Sequence, residues 1–363
     1  MAMNAQDLIN QIKLGRPIED LTIKGVNFSN DAFEGAVFMR CQFEACSFEK
    51  AHLNQLNFIE CLMQTSSFRE SKLEDCQFID CKLDQCDLTH CLLAGTNWVN
   101  PIFQHLDFSN SNVDENQFIE GNLNSVRFAN ASLIFSSFMN CQLNDIDFNN
   151  SNLHRANYIE CDFQSCDFKQ SYMNTVIFEQ ATFSGQNFSQ LDLSQTQFRT
   201  SHLTECDFSD SNLTQTCFVE AKIESCNFSH VSGAMALFTG SSIRTSRFIK
   251  SQLDQSNFQQ AHLLGCDLSN CSMIQAQFAE MTCQGSVFSS TDLSYADLSN
   301  SQCENVDFSS VHLFRCNLHA LFDSGCNWSS AQKYLALATD EKRERADLWR
   351  PKPVKLNNDM VQG

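Results

Sequence analysis

Counted in fives, this chain places an apolar side chain at almost every step for about 300 residues. The series 23, 28, 33 and onward to 318 holds 60 residues, and 59 of them are Phe, Leu, Ile, Met, Val, Trp, Tyr or Cys, with Gly233 the exception. The register never slips, so no loop is inserted. Of the 32 Phe in the chain, 29 lie in this series. Two residues earlier runs a column of mostly small residues: Ala36, Cys41, Cys46, Ala51, then Ser66, Ser71, Cys76, Cys81, Cys86 and Cys91. The remaining three columns are mainly Asn, Gln, Asp, Ser, Glu and Lys.

A period of five fits neither the 3.6 of a helix nor the 2.0 of a strand. It fits a chain that turns a corner every five residues, pointing one large and one small side chain inward from each side. Four sides close a coil of 20 residues, and stacked coils pair backbone to backbone at about 4.8 Å. Such a repeat array is one elongated unit whatever its length. Sixty pentads predict 15 coils, a rod on the order of 70 Å long. A finer period is present as well. Of the 31 centres at 28, 38 and on to 328, 27 are aromatic, the exceptions being Leu88, Leu268, Leu298 and Leu318, whereas the interleaved set has only five Phe. Two opposite sides therefore carry aromatic ladders and two carry mostly aliphatic ones. This alternation fills a narrow core without voids; it is packing rather than a channel, and no cofactor is expected.

Segments such as Cys41-Gln42-Phe43-Glu44-Ala45, Cys206-Asp207-Phe208-Ser209-Asp210 and Ala296-Asp297-Leu298-Ser299-Asn300 resemble the pentapeptide-repeat family, whose motif is a small residue, Asp or Asn, Leu or Phe, and two variable residues. The resemblance covers residues 21–330. It implies an all-β solenoid, a right-handed quadrilateral β-helix of about 15 coils, with short α-helical caps at both ends. The expected organisation is an N-terminal capping helix in 1–20, the β-helix in 21–330, a C-terminal helix in 331–349 and a disordered tail in 350–363. Open coil ends would invite edge-to-edge growth, hence the caps. Asn4 to Leu14 reads as the first, capped by Asn4 and ended by Gly15 and Pro17; Ser329 with Gln332 has the spacing that opens the second, which Pro351 and Pro353 would stop. Gly233 predicts a bend or thin spot, Pro101 a local distortion, and Asp323 a fraying last coil.

Sixteen of the 19 cysteines lie in the small inward column; Cys283 and Cys303 are central and Cys217 faces outward. Free Cys behaves as a small buried hydrophobe. Same-side neighbours such as Cys41, Cys61 and Cys81 stack at the coil spacing. That distance alone would permit a bridge, but no Cys-x2-Cys pair occurs, and the cysteines read as packing. None of the nine histidines occupies an inward column, so all are expected in solvent. A filled, loop-free rod offers no pocket for an oriented base beside a nucleophile, so no enzyme activity and no metal site are expected. The first eleven residues hold no apolar run after a basic cluster, and no stretch approaches the length of a membrane span. A cytoplasmic protein without membrane insertion is the expectation.

The repeat region holds 35 acidic and 15 basic side chains, which argues against direct nucleic-acid binding. An acidic rod could instead mimic DNA, although duplex DNA carries one charge per ~1.7 Å, roughly twice this density. The sharpest local feature is an outward stripe every 20 residues: Met39, Ile59, Ile79, Val99, Ile119, Met139 and Ile159. Beside it run Glu60, Asp80, Glu120 and Glu160. The stripe fails at Glu179 and Arg199. An aligned apolar patch edged by acid suggests a partner-binding surface. The primary expectation is a non-catalytic protein-binding scaffold or accessory protein. The resemblance implies two alternatives: a DNA mimic that binds DNA gyrase or topoisomerase IV, as quinolone-resistance members do, or an accessory or effector protein of a bacterial secretion system. It also implies a homodimer joined through the C-terminal helix, with Tyr334, Leu335, Leu337 and Trp349 as candidate dimer or cap residues.

Overall fold

A computed structural model of the chain describes residues 5–349; the expected Asn4 cap and the tail from Arg350 lie outside the described residues. The five-residue period becomes geometry through one dihedral angle. Every fifth residue from Asp20 to Ser330 is left-handed, with φ between 46° and 74°, and only eight of these corners are Gly. A left-handed L-residue costs roughly 1–2 kcal/mol. The stack offsets this, because the corner N–H is held by the next coil: Arg40 N donates to Ile59 O at 2.8 Å and Lys50 N to Arg69 O at 2.9 Å.

Four corners make a coil, and about 15 coils stack in parallel, as expected. The first side, centred on Phe38, Phe58 and their successors, carries nine parallel strands from Ile18–Glu19 to Ile177–Glu179. The second, centred on Phe43, carries sixteen, from Thr22–Lys24 to Phe322–Ser324. The third and fourth sides pair through single bridges such as Asn27↔Ser47 and Ala32↔His52. On these turn-like sides an Asp or Asn before the buried centre repeatedly accepts the N–H of the residue after it: Thr89 N to Asp87 Oδ1, Ser109 N to Asp107 Oδ1 and Asp114 N to Asn112 Oδ1, each 2.9 Å. Such Asx turns compete with the extended conformation.

Inside, ring stacks climb the first and third sides, for example Phe28–Phe48 at 5.0 Å and Phe48–Phe68 at 4.8 Å, and meet edge to face across the core, as in Phe198–Phe208 at 5.7 Å and 89°. The small column is more than small. Its hydroxyls and thiols donate to a core carbonyl one coil back: Thr96 Oγ1 to Leu73 O and Ser111 Oγ to Leu88 O at 2.6 Å, Cys76 Sγ to Leu53 O and Cys91 Sγ to Phe68 O at 2.9 Å. That explains why Ser, Thr and Cys share the position. All 19 cysteines are free. Burial pushes the thiols of Cys76, Cys86 and Cys166 up to about 12. In the stacked Cys206–Cys226 pair, the bond from its neighbour and then burial push Cys206 up.

The irregularities fall elsewhere than the sequence suggested. Gly233 leaves no thin spot: Leu253 fills the space, its Cδ2 only 2.8 Å from where a Cβ would stand. Pro101 causes no break because Gly121 lies beneath it, where a Cβ would meet the ring at 3.0 Å. The actual discontinuity lies between residues 165 and 192. In neighbouring coils Asp145, Phe148, Asn150 and Leu153 each donate to the following coil, as do Gly185, Phe188, Gln190 and Leu193. The equivalent bonds from Ser165, Phe168, Gln170 and Met173 are missing, and so are the bridges Asp167↔Asn187 and Tyr172↔Asp192. Gln186 and Leu191, two large residues at consecutive small positions, wedge this seam. Gln186 Nε2 takes the Cys166 carbonyl that Asn187 N would otherwise reach, and its buried Oε1 has no partner. A cavity of about 510 Å³, lined by Asp167, Lys169, Asn187, Ser189 and Leu191, opens there.

Both ends carry segments outside the repeat. Helix α1 (Ala5–Lys13) buries Leu8 and lays Ile9 and Ile12 on the first coil. The expected single C-terminal helix over 331–349 does not form. Ser329 spends its N–H on Asn327 Oδ1, and the chain stays largely extended: Leu337 bridges Asn317, donating to Cys316 O and accepting from Leu318 N. A single 3-10 turn spans Lys333–Leu335. Helix α2 covers only Glu341–Asp347, opened by Asp340, whose carboxylate accepts from Lys342 N and Arg343 N. Backbone pairing onto the last coil outcompetes helix there because an open coil end holds unpaired groups. Asp323 does not mark fraying: it accepts from Trp328 Nε1 at 2.8 Å and from Lys333 Nζ at 2.9 Å, with that ammonium 4.1 Å from the Trp328 ring centre.

Candidate functional site

The stripe is a continuous ladder on the outer face of the first side. Parallel register sets Met39 beside Ile59, then Ile79, Val99, Ile119, Met139 and Ile159, one per coil. The same column continues into Glu19 at one end and Glu179 at the other, so a glutamate closes each end. All seven side chains are at least partly exposed, Met139 the most at 40%. On one flank stand Asn57, Gln77, Asn97, Gln117, Ser137 and Asn157. On the other flank Glu60, Asp80, Glu120 and Glu160 occupy left-handed corners, each holding the next coil through its N–H. Asp80 accepts from Asn100 Nδ2 at 2.9 Å. At the N-terminal end, Arg40 pairs with Asp20 at 2.7 Å and Glu19 at 3.3 Å, and its hydrogen bond holds the Asp20 carboxyl below its ordinary range.

A flat β face favours Ile and Val, which would explain the ladder without a partner. The second side is the internal control. It is equally flat and nearly twice as long, yet the equivalent column reads Lys24, Glu44, Gln64, Asp84, Gln104, Asn124 and Asn144. Strand geometry therefore does not require aliphatic residues there. Where the ladder ends, the first side loses its strands and adopts Asx turns, as at Asn257–Gln259 and Asp297–Ser299.

Farther along the same column the chain covers itself. His319, expected in solvent, is 2% exposed, and Ser299 one coil below is equally buried. Asp340 N donates to His319 Nδ1 at 3.2 Å, which fixes the proton on Nε2, and Nε2 lies 3.2 Å from Asp347 Oδ2 on α2. Nothing local in the sequence signalled this, because the cover arrives from 21 and 28 residues downstream. The four candidate dimer residues do not share a helix face. Tyr334 and Leu335 sit in the 3-10 turn, Leu337 pairs with the last coil, and Trp349 lies just beyond α2; Tyr334 is 80% exposed and Leu335 half-buried.

A depression of about 560 Å³ brings His105, Ser125 and Asp145 onto one corner. The hydroxyl of Ser125 donates to Asp145 at 2.8 Å, and His105 leans toward Asp84 at 3.6 Å. The hydroxyl is thus directed at a carboxylate rather than at the imidazole, so these residues do not form a Ser–His pair. Among the described residues no group of three or more His, Cys, Asp or Glu is placed to hold a metal ion, and no helix is long and apolar enough to cross a membrane.

Two family models match the chain. One, described as a pentapeptide repeat region, matches residues 21–98, 81–158 and 185–258; the other, pentapeptide repeats (8 copies), matches 141–180, 161–204, 251–289, 271–309 and 286–320. No curated protein matches. Among solved structures, HetL, a pentapeptide repeat protein involved in heterocyst differentiation regulation from the cyanobacterium Nostoc sp. strain PCC 7120, is 14% identical over 93% of this chain and 98% of its own, with a TM-score of 0.19. Full-length QnrB1, a plasmid-mediated fluoroquinolone resistance protein, is 16% identical over 69% and 93%, at 0.18. A pentapeptide repeat protein of the Arabidopsis thaliana thylakoid lumen is 20% identical over 35% and 70%, at 0.21.

Proposed function

The chain belongs to the pentapeptide-repeat family, and from that premise we propose that it is a non-catalytic protein-binding scaffold whose contact surface is the aliphatic ladder from Met39 to Ile159. One observation carries this reading: the ladder is aliphatic in a column that the neighbouring flat side fills with polar residues. A rod whose centre is packed with rings leaves its outer faces as the place for recognition.

The test is the double variant Ile79→Asp with Ile119→Asp, paired with Ile79→Thr with Ile119→Thr. Thr keeps the β-branch and so controls for fold. Both variants are expected to retain the β signature in circular dichroism, while the Asp pair loses the protein captured by the native rod. Identical capture profiles for the native rod and the Asp pair would remove the proposal.

A second reading, mimicry of DNA toward DNA gyrase or topoisomerase IV, is supported by the excess of 35 acidic over 15 basic side chains in the repeats. Supercoiling by purified gyrase tests it, and no effect at micromolar excess of the rod rejects it.

A further inference from the structure

We propose that the occupant of the ladder is a basic amphipathic α-helix of about 19 residues, lying along the rod axis; this rests on the scaffold reading above. Seven side chains over six coil steps span about 29 Å at the spacing of paired strands, which a helix covers in about 19 residues at 1.5 Å each. The glutamates of the same column, Glu19 and Glu179, set those limits.

The type of occupant follows from the backbone. The peptide groups of the first side pair along the rod, coil to coil, so its outer face offers side chains and no row of free N–H or C=O groups. An extended peptide laid there would leave its own backbone unpaired, whereas a helix satisfies its backbone internally. The same column already receives a helical segment of this chain at His319, through polar contacts from the N–H of Asp340 and the carboxylate of Asp347.

The charge of the occupant follows from the flank. Glu60, Asp80, Glu120 and Glu160 line one edge of the ladder, and the nearest cation in their row, Arg40, is engaged by Asp20 and Glu19. Lys and Arg on one edge of the helix would meet this row, with Ile, Leu or Val at i, i+3, i+4 and i+7 on the ladder. The same charge disfavours a second copy of the rod, since each carries a net charge of -19.

The experiment is a selection of 19-residue peptides, displayed with randomised positions, against the full chain, with the Ile79→Asp, Ile119→Asp rod used for counter-selection. Enrichment of helical sequences with an aliphatic stripe and Lys or Arg beside it is expected. Affinity of the winners should fall at least tenfold in the Glu120→Lys, Glu160→Lys rod, and fall with added salt. Enrichment of acidic or proline-containing peptides, binding that survives the Ile-to-Asp changes, or no enrichment at all overturns the inference. The scaffold reading stands or falls separately, on the capture experiment above.

Discussion

The coils before and after Gln186 obey the same five-residue rule and present different surfaces. In the first length, to about residue 180, two adjacent sides are flat strands, and one of them exposes an aliphatic ladder. In the second, only one side remains flat and the other has gone over to Asx turns. The seam at 165–192 lies at the change. The inner columns are alike on both sides of it, so the interior fixes the coil while the outward residues decide whether a side is strand or turn. In a stack where each coil touches only its neighbours, a weak interface also divides stability.

Alkaline pH should act on both lengths and gives the largest effect. Burial pushes Cys76, Cys86 and Cys166 in the first length, and Cys271 and Cys316 in the second, up to about 12 from an ordinary 9.0. The folded state keeps protons that the unfolded chain releases. The stability linked to these thiols is therefore complete below pH 9 and is lost as pH rises toward 12. Denaturant titrations at pH 7, 9 and 10.5 should show midpoints that hold and then fall. Cys→Ser at 76, 86 and 166 should flatten the slope for the first length alone. A midpoint unchanged at pH 10.5 contradicts the burial argument.

A cut in one length tests whether the seam separates them. Trp98 is fully buried, stacks 4.0 Å from Phe78 and donates to Asn116 Oδ1 at 3.0 Å. Trp98→Ala should cost about 3–5 kcal/mol and strip hydrogen-exchange protection from the coils before residue 165, leaving those after 195 protected. Simultaneous loss in both lengths would show one cooperative unit.

Closing the seam should do the reverse. Gln186→Ser removes the wedge and the unpartnered amide oxygen, with a gain of about 1–3 kcal/mol. The amides of Phe168, Gln170 and Met173 should then exchange at least tenfold more slowly. Unchanged rates would mean that Leu191 alone holds the coils apart.

The smallest effect concerns Tyr158, which stands in an aromatic ladder with its hydroxyl buried and unpaired. Tyr158→Phe should leave the fold intact and raise stability by about 1 kcal/mol, read as a higher melting temperature. A loss of stability would point to a partner for that hydroxyl.

The coil size, the register, both inner columns and the candidate ladder were all legible in the sequence, because each is a consequence of counting. Gln186 was legible in principle, since a large amide in a column of small donors breaks the pattern, and Leu191 follows it in the same column. His319 was not: its outward column predicts solvent, and its cover comes from α2. The same holds for Ser329 and Gln332, whose spacing signals a helix that the unpaired end of the last coil displaces.

The sequence by itself determined how the chain winds, because a strict period leaves one solution to burying one large and one small side chain at every turn. The tertiary structure alone decided where the stack parts and how the end is covered. Those outcomes depend on contacts between residues 20 or more apart, where hydrogen bonds to a neighbouring coil or to the returning chain override the local signal.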